Sequence, residues 1–187
     1  SSHRPRWRSS IAGVYLDEDA MSETLAAVPL DLSRVSQAYP VVHTLMPSLD
    51  LDAWRRFAGR LIRSSSPAAG VMTAQQGGYI RGLFCHWQQP SLKHGELLVV
   101  ENFSVLDMFD PRRAADVLVE AMEQIAALVE CKAIHTALPH LLQPVSASAR
   151  HREPFQSRGH EVAGTVMCKT LDPVVSGPTC KVTTLDR

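Results

Sequence analysis

The stretch Gly95–Lys132, GELLVVENFSVLDMFDPRRAADVLVEAMEQIAALVECK, decides the fold class. It opens with an unbroken apolar run over Leu97–Val100, as expected of a strand that is covered on both faces. Glu101 and Asn102 interrupt this run before Phe103 resumes it. A polar break inside a buried strand predicts a bulge or a side chain that is directed into a cleft.

The second half of the stretch predicts a long amphipathic helix. Asp110 is a typical N-cap residue, and Pro111 suits the first helical position because that position needs no backbone N–H partner. Apolar residues then recur at helical spacing and predict one buried face. They are Ala114, Ala115, Leu118, Ala121, Met122, Ile125, Leu128 and Val129.

Arg112 and Arg113 lie in the first turn of this predicted helix. The helix dipole is positive there, and acidic residues are the favoured occupants. Two cations beside unpaired backbone N–H groups can form an anion-binding site. The alternative is a pair of solvated arginines held by Asp110 or a neighbouring carboxylate, and the sequence leaves both interpretations open.

Composition bounds the class of protein. The chain has 187 residues, 45% of them hydrophobic and 20% charged, with a formal net charge of zero. These values fit one globular domain and give no argument for nucleic acid as a partner. We expect no membrane span, no secretory signal and a cytoplasmic location. Four dispersed cysteines predict free thiols in a reducing compartment, and the histidine spacing predicts no metal site.

The order of predicted elements indicates a mixed α/β sheet with helices on its faces. We expect an N-terminal extension at residues 1–34, one domain at 35–171 and a C-terminal tail at 172–187. The predicted elements are a short helix at 21–28, a strand at 39–45, a helix that begins at Ser48 or Asp50, a hairpin of 71–75 and 79–87 about Gly77-Gly78, the strand and helix of the opening stretch, a strand at 133–138, a helix at 149–157 ending at Gly159, and a strand at 161–171.

Four arginines, Arg55, Arg56, Arg60 and Arg63, lie largely away from the apolar face of the helix that begins at Ser48 or Asp50. They are a candidate site for acidic groups. A solvated helix face is the alternative interpretation.

Over Val35–Leu171 the chain resembles the GNAT superfamily of N-acyltransferases. The resemblance lies in the strand VVENFSV (99–105), the loop and helix FDPRRAADVLVEAM (109–122) and the segment HREPFQSRGHEVAG (151–164). It implies a GNAT-like fold, with helices on both faces of a mostly antiparallel mixed sheet. It also implies acetyl-CoA as the cosubstrate and an amine of a small molecule or peptide as the acceptor, with a homodimer left open.

The resemblance also assigns residues to acetyl-CoA. They are Phe103, Ser104 and Val105 for the pantetheine arm, and Arg112, Arg113, Ala114 and Ala115 for the phosphates. In the family, a glycine-containing loop brings backbone N–H groups close to the pyrophosphate. Here Asp110 replaces the usual glutamine or arginine and Arg113 replaces the first glycine, so the loop is degenerate.

For catalysis, the resemblance implies that Glu101 is the general base, a role that requires a pKa raised by burial. A strand-edge or substrate-contact role for Glu101 is the alternative. The general acid of the family is a tyrosine, and Phe155 takes its position, which leaves Cys131, Cys168 or water. The resemblance therefore predicts an N-acetyltransferase, with a non-catalytic binding or regulatory module of the same fold as the alternative.

Overall fold

The computed structural model describes residues 24–64, 67–107, 110–138 and 152–164. Five strands form one sheet in the order β1-β2-β3-β4-β5. They are β1 (Ala26–Pro29), β2 (Ala69–Gln76), β3 (Tyr79–Ser91), β4 (Gly95–Val105) and β5 (Ala133–Thr136). The helices are α1 (Val35–Leu45), which follows a 3-10 turn at Leu32–Arg34, α2 (Leu51–Arg63), α3 (Pro111–Leu128) and the short α4 (152–156).

The sheet is mixed, as the sequence predicts. Strands β1 to β4 pair antiparallel, and β5 lies parallel to β4 after the α3 crossover. Helices cover both faces. One core lies between the sheet and α3, around Phe84, Leu98, Leu118 and Met122, and the other lies between the sheet and α1 and α2, around Trp54, Val41 and Leu83.

The strand predicted at 39–45 is wrong, because this segment belongs to helix α1. Pro40 and the β-branched residues after it favour a strand in isolation. In the structure, Val35, Ala38 and Val42 lie on one side of the helix and are buried against the sheet. Burial of this face outweighs the local preference. Pro40 itself lies at an exposed position of the helix, where its missing N–H leaves the Ser36 carbonyl without the usual helical donor.

The helix predicted at 21–28 is also wrong over its described part, because β1 occupies Ala26–Pro29. This strand pairs with β2, and Leu30 N–H continues the contact by donating to the Val71 carbonyl at 2.9 Å. Regular structure therefore begins before Val35, inside the segment that the sequence assigns to an N-terminal extension. Cross-strand pairing outweighs the helix preference of two alanines.

Several local predictions are confirmed. Gly77 and Gly78, with φ of 54° and 80°, form the tight turn between β2 and β3. Asp50 caps α2 by accepting from Ala53 N–H at 2.6 Å. The strand predicted at 161–171 lies mostly outside the described residues, and its first part, 161–164, has no strand partner among those described.

Candidate functional site

The pairing of β4 with β5 ends before β4 itself ends, and the unpaired edge of β4 beyond Val100 is hereafter called the gap between β4 and β5. Their register ends at Val100 and Thr136, and the Ala137 N–H donates to the Val100 carbonyl at 2.9 Å. Strand β4 continues to Val105 and stays paired with β3 on its other side. Over residues 101–105, this edge of β4 therefore has no strand partner in the described part of the chain, and its backbone groups are available to an extended ligand.

A bulge lies in this part of β4, where the polar break predicts one. Asn102 has a φ of 56°, a left-handed conformation that asparagine tolerates better than most residues. The register with β3 shifts between Cys85↔Glu101 and Leu83↔Ser104, which places one extra residue in β4. The extra residue shifts the alternation of side chains along β4, so that the core facing α3 receives Leu98 and Val100 before the bulge and Phe103 after it.

Phe103 and Ser104 lie on opposite faces of the sheet. Phe103 is buried in the core next to α3, whereas the Ser104 hydroxyl lies 3.4 Å from the Val41 carbonyl of α1 and 3.5 Å from the Thr44 hydroxyl. Val105 is partly buried at the end of the strand. The side chains of the predicted pantetheine segment are thus engaged in packing, and only its backbone faces the gap.

Glu101 is partly buried and pairs directly across from Cys85 of β3. Burial raises the pKa of the Cys85 thiol to about 12, against the opposing effect of a hydrogen bond with the Asn102 side chain, and the nearby Glu101 carboxylate adds to the increase. Cys85 is therefore a protonated thiol at neutral pH. It is a poor nucleophile, although it lies beside the predicted base.

A carboxylate of the chain itself occupies the N-terminus of α3. The Asp110 side chain accepts from Arg113 N–H at 3.0 Å, as the sequence predicts for an N-cap residue. The Asp110 N–H in turn donates to the Asp107 side chain at 3.2 Å. One of the backbone donors that an external anion would use is thus already satisfied.

The two arginines of this turn differ. Arg112 donates through Nε to Asp116 at 3.1 Å and through Nη1 to Glu153 at 2.5 Å. Glu153, and after it Asp116, raises the pKa of the Arg112 guanidinium above its ordinary value. Arg113 is exposed, and its guanidinium has no ion-pair partner in the part of the chain that the structure describes. Of the two arginines in this turn, Arg113 is thus the one whose guanidinium is available to bind an anion.

Ala114 and Ala115 are buried against the sheet, with exposed fractions of 0% and 7%. Small side chains at these positions allow α3 to approach the strands closely. The Ala114 N–H donates to the Asp110 carbonyl at 3.4 Å, and Ala115 lies one residue further along the helix, so the backbone N–H groups of both residues belong to the helical hydrogen bonds of α3.

Phe155 of α4 packs against β4 next to the gap between β4 and β5. Phe155 is 3% exposed, and its ring lies 4.9 Å from the Phe103 ring. The chain turns at Gly159, whose φ is 84°, and His160 N–H donates back to the Phe155 carbonyl at 3.1 Å. This turn confirms Gly159 as the C′ residue of α4. Phe155 is a buried core residue, and its ring has no proton to donate.

Of the other proton donors that the sequence leaves open, Cys131 lies at the far end of β5. Lys132 N–H, next to Cys131, donates to the Glu96 carbonyl near the start of β4 at 2.8 Å. The five residue-to-residue steps along β4 from Leu97 to Asn102 span about 16 Å, so Cys131 is remote from the bulge. Cys168 lies outside the described residues.

Two site residues had no role in the sequence interpretation, Asp116 and Glu153. Asp116 is four residues after Arg112 on the same helix, a spacing that predicts an ion pair. Glu153 lies 41 residues away on α4, and no sequence pattern connects it to Arg112.

The arginines of α2 lie on another surface. Arg55 pairs with Asp52 at 3.2 Å and donates to the Ser36 hydroxyl at 3.0 Å, while Arg56 and Arg60 are exposed. Within the described ranges, no cluster of three or more side chains suits a metal ion. No helix among them is long and apolar enough to cross a membrane.

Comparison with solved structures identifies the fold. Glucosamine-6-phosphate N-acetyltransferase from Arabidopsis thaliana matches with a TM-score of 0.63 at 15% identity, over 80% of this chain and 100% of its own. The aminoglycoside N-acetyltransferase AAC(6')-Iy in complex with CoA matches with a TM-score of 0.66 at 14% identity, over 83% and 99%. An acetyltransferase from Trypanosoma brucei matches with a TM-score of 0.58 at 16% identity, over 79% and 100%.

No protein-family model matches the chain, and no curated protein matches it in sequence. The likeness is therefore one of structure, at sequence identities that establish the fold alone. The chain has the GNAT acetyltransferase fold, as its resemblance to that superfamily implies.

Proposed function

We propose that this chain is an N-acyltransferase that moves an acetyl group from acetyl-CoA to an amine by direct attack. The gap between β4 and β5 carries the proposal, because residues 101–105 offer a strand edge next to the bulge. An extended arm that contains amide groups, such as pantetheine, can pair with such an edge as an added strand would. The fold shared with acetyltransferases, one of them solved with CoA, supports this ligand.

The phosphates of the donor would lie at the N-terminus of α3. The chain passes from Val105 at the end of β4 to Asp110 at the cap within five residues, so the gap and the helix end are neighbours in sequence. Arg113 supplies an exposed cation there, and the positive end of the helix dipole adds to the attraction for a phosphate.

In the reaction, Glu101 takes a proton from the acceptor amine, directly or through a water molecule. The amine nitrogen then attacks the thioester carbonyl carbon, a C–N bond forms, and the C–S bond breaks. The CoA thiolate leaves and takes its proton from water, since Phe155 has none to give. The high pKa of Cys85 supports direct transfer over an acyl-enzyme at that thiol.

Replacing Glu101 with glutamine tests this assignment. We expect Glu101→Gln to lower kcat by about 10²-fold or more, while the CoA dissociation constant changes less than about twofold, because a general base acts on the amine and not on the donor. Isothermal titration with CoA and a thiol-release assay with acetyl-CoA over a panel of amines give the two readouts.

Glu96→Gln is the matched control, since Glu96 is an exposed glutamate on the same strand at the other end. It should leave both CoA binding and turnover unchanged. Loss of CoA binding in Glu101→Gln would assign Glu101 a structural role instead. The absence of any binding of CoA or acetyl-CoA to the unmodified protein would refute the proposed function as a whole.

A non-catalytic binding module is the second candidate, and a specific observation favours it. The chain's own carboxylates occupy the phosphate end of the site, with Asp110 on the helix N-terminus and Glu153 and Asp116 on Arg112. CoA binding without turnover on any amine, including aminoglycosides and glucosamine 6-phosphate, would favour this candidate over the enzyme.

A further inference from the structure

Arg112 and Glu153 join two elements that border the proposed donor site. Arg112 lies in the first turn of α3, and Glu153 lies on α4, two residues before Phe155. Because the Phe155 ring contacts Phe103 beside the gap between β4 and β5, Glu153 is held near that gap. The ion pair, with Nη1 and Oε1 2.5 Å apart, therefore spans from the gap side to the phosphate end of the site.

The charges of this region are unfavourable for a polyphosphate. Four carboxylates lie at this end of α3, against the two guanidinium groups of its first turn, Arg112 and Arg113. They are Asp107, Asp110, Asp116 and Glu153. Arg112 is shared between two of the carboxylates. A ligand phosphate that approaches this turn must compete with Glu153 for Arg112 and is repelled by the same carboxylate.

Other contacts hold α4 in place without Glu153. Arg158 donates to Glu123 at 2.9 Å and to Glu120 at 3.3 Å, so the segment that contains α4 is also fixed to the middle of α3. The buried Phe155 adds apolar contact. The Arg112–Glu153 pair can therefore open while α4 remains packed. The side chains of Arg112 and Glu153 are 42% and 62% exposed, so a ligand can reach Arg112 and replace Glu153 on it.

We propose that the Arg112–Glu153 ion pair is a clasp that lowers the affinity of the site for its donor, and that a donor phosphate opens it by taking Glu153's place on Arg112. This inference rests on the proposed function, because it assumes that the α3 N-terminus receives the phosphates. The clasp sets a threshold. The site favours ligands with enough phosphate charge to displace a carboxylate, and it stays closed toward a pantetheine arm alone.

Titration of CoA into two single-charge variants tests the clasp. Glu153→Gln removes the carboxylate that competes for Arg112, and we expect it to bind CoA about two- to fivefold more tightly than the unmodified chain, the effect typical of an exposed ion pair. Glu161→Gln is the matched control. It removes one glutamate charge from the same segment, at an exposed residue for which the described residues provide no ion-pair partner.

Arg112→Gln completes the design. In the Glu153→Gln background, Arg112 is free to meet phosphate, so its loss should weaken CoA binding by more than it does in the unmodified chain. The difference between the unmodified chain and Glu153→Gln should shrink as the salt concentration rises. Thermal unfolding of each variant reports whether α4 remains packed.

The outcomes separate the two proposals. Equal CoA affinities of the unmodified chain and Glu153→Gln, or equal tightening by Glu161→Gln, overturn the clasp and leave the proposed function standing. Binding by none of the variants overturns both, since Glu153→Gln should have the most accessible site. Tighter binding by Glu153→Gln alone, with the enlarged effect of Arg112→Gln in that background, supports the clasp.

Discussion

At the scale of single residues, Arg113 is the residue of the candidate site whose replacement should change CoA binding most directly. Its guanidinium is exposed beside the α3 N-terminus, whereas that of Arg112 is held by two carboxylates. We expect Arg113→Gln to weaken CoA binding about three- to tenfold, because a charge-assisted contact with phosphate is lost. Isothermal titration at low salt measures the change.

Arg56→Gln is the matched control for this variant, because Arg56 is an exposed arginine on α2, on a different element from the candidate site. It should leave CoA affinity unchanged. Tighter binding by Arg113→Gln would mean that the arginine blocks the position of the missing glycine.

The sequence predicts those features of the site that depend on neighbours in the chain. The Asp110 cap, the first-turn position of Pro111 and the bulge at Asn102 all follow from local chemistry, and the structure confirms them. The partners of Arg112 do not all follow in this way. The ion pair of Arg112 with Asp116 can be predicted from helical spacing. The ion pair with Glu153 forms only because Phe155 packs on Phe103 and brings α4 beside α3.

At the scale of elements, α3 ends in a strained conformation. Glu130 has a φ of 57°, and Cys131 N–H donates back to the Ala126 carbonyl at 2.8 Å, the pattern that normally places glycine at C′. Glu130→Gly should therefore raise the free energy of unfolding by up to about 1 kcal/mol, since glycine adopts this backbone without a Cβ clash. Urea denaturation measures it.

The converse substitution of Glu130→Gly can be made at the end of α4. Gly159 occupies the same C′ position with a φ of 84°. Gly159→Ala should lower the free energy of unfolding by about 1 kcal/mol for the same reason. Equal signs for the two variants would contradict the shared cause.

The errors of sequence interpretation also lie at this scale. The segment Val35–Leu45 contains a proline and β-branched residues, so its local preference indicates a strand. Its apolar residues Val35, Ala38 and Val42 do recur at helical spacing, a signal that the strand interpretation did not use. By contrast, β1 is four residues long and is stabilised by its pairing with β2, a contact about 45 residues away in sequence that no local pattern reveals.

At the scale of the whole molecule, the sheet is covered by helices on both faces, and its interior strands are accordingly apolar. Residues of β3 alternate between the two cores, with Phe84 facing α3 and Leu83 and Cys85 facing α1 and α2. This alternation is what the continuous apolar run of Leu97–Val100 predicts for the neighbouring β4. A polar group inside such a layer must remain neutral or find a partner.

His86 is such a group, and it links global stability to pH. It is 5% exposed, its Nε2 lies 3.2 Å from the Pro67 carbonyl, and its Nδ1 has no partner among the described residues. Burial lowers the pKa of His86 to about 4, although the hydrogen bond to Pro67 opposes the change. The folded chain therefore keeps His86 neutral at pH values where the unfolded chain protonates it.

The sign of the pH effect follows from this difference. The stability associated with neutral His86 is present above the unfolded pKa of about 6.5 and is lost as the pH falls toward 4, by about 2 kcal/mol between about pH 7 and pH 5.

In His86→Gln, an amide N–H can still donate to the Pro67 carbonyl and the side chain does not titrate, so this part of the pH dependence should disappear. His43→Gln, at an exposed histidine of α1, should retain the full pH dependence. Urea denaturation of the three proteins at both pH values measures the effect, and parallel pH profiles for the unmodified chain and His86→Gln would show that another group is responsible.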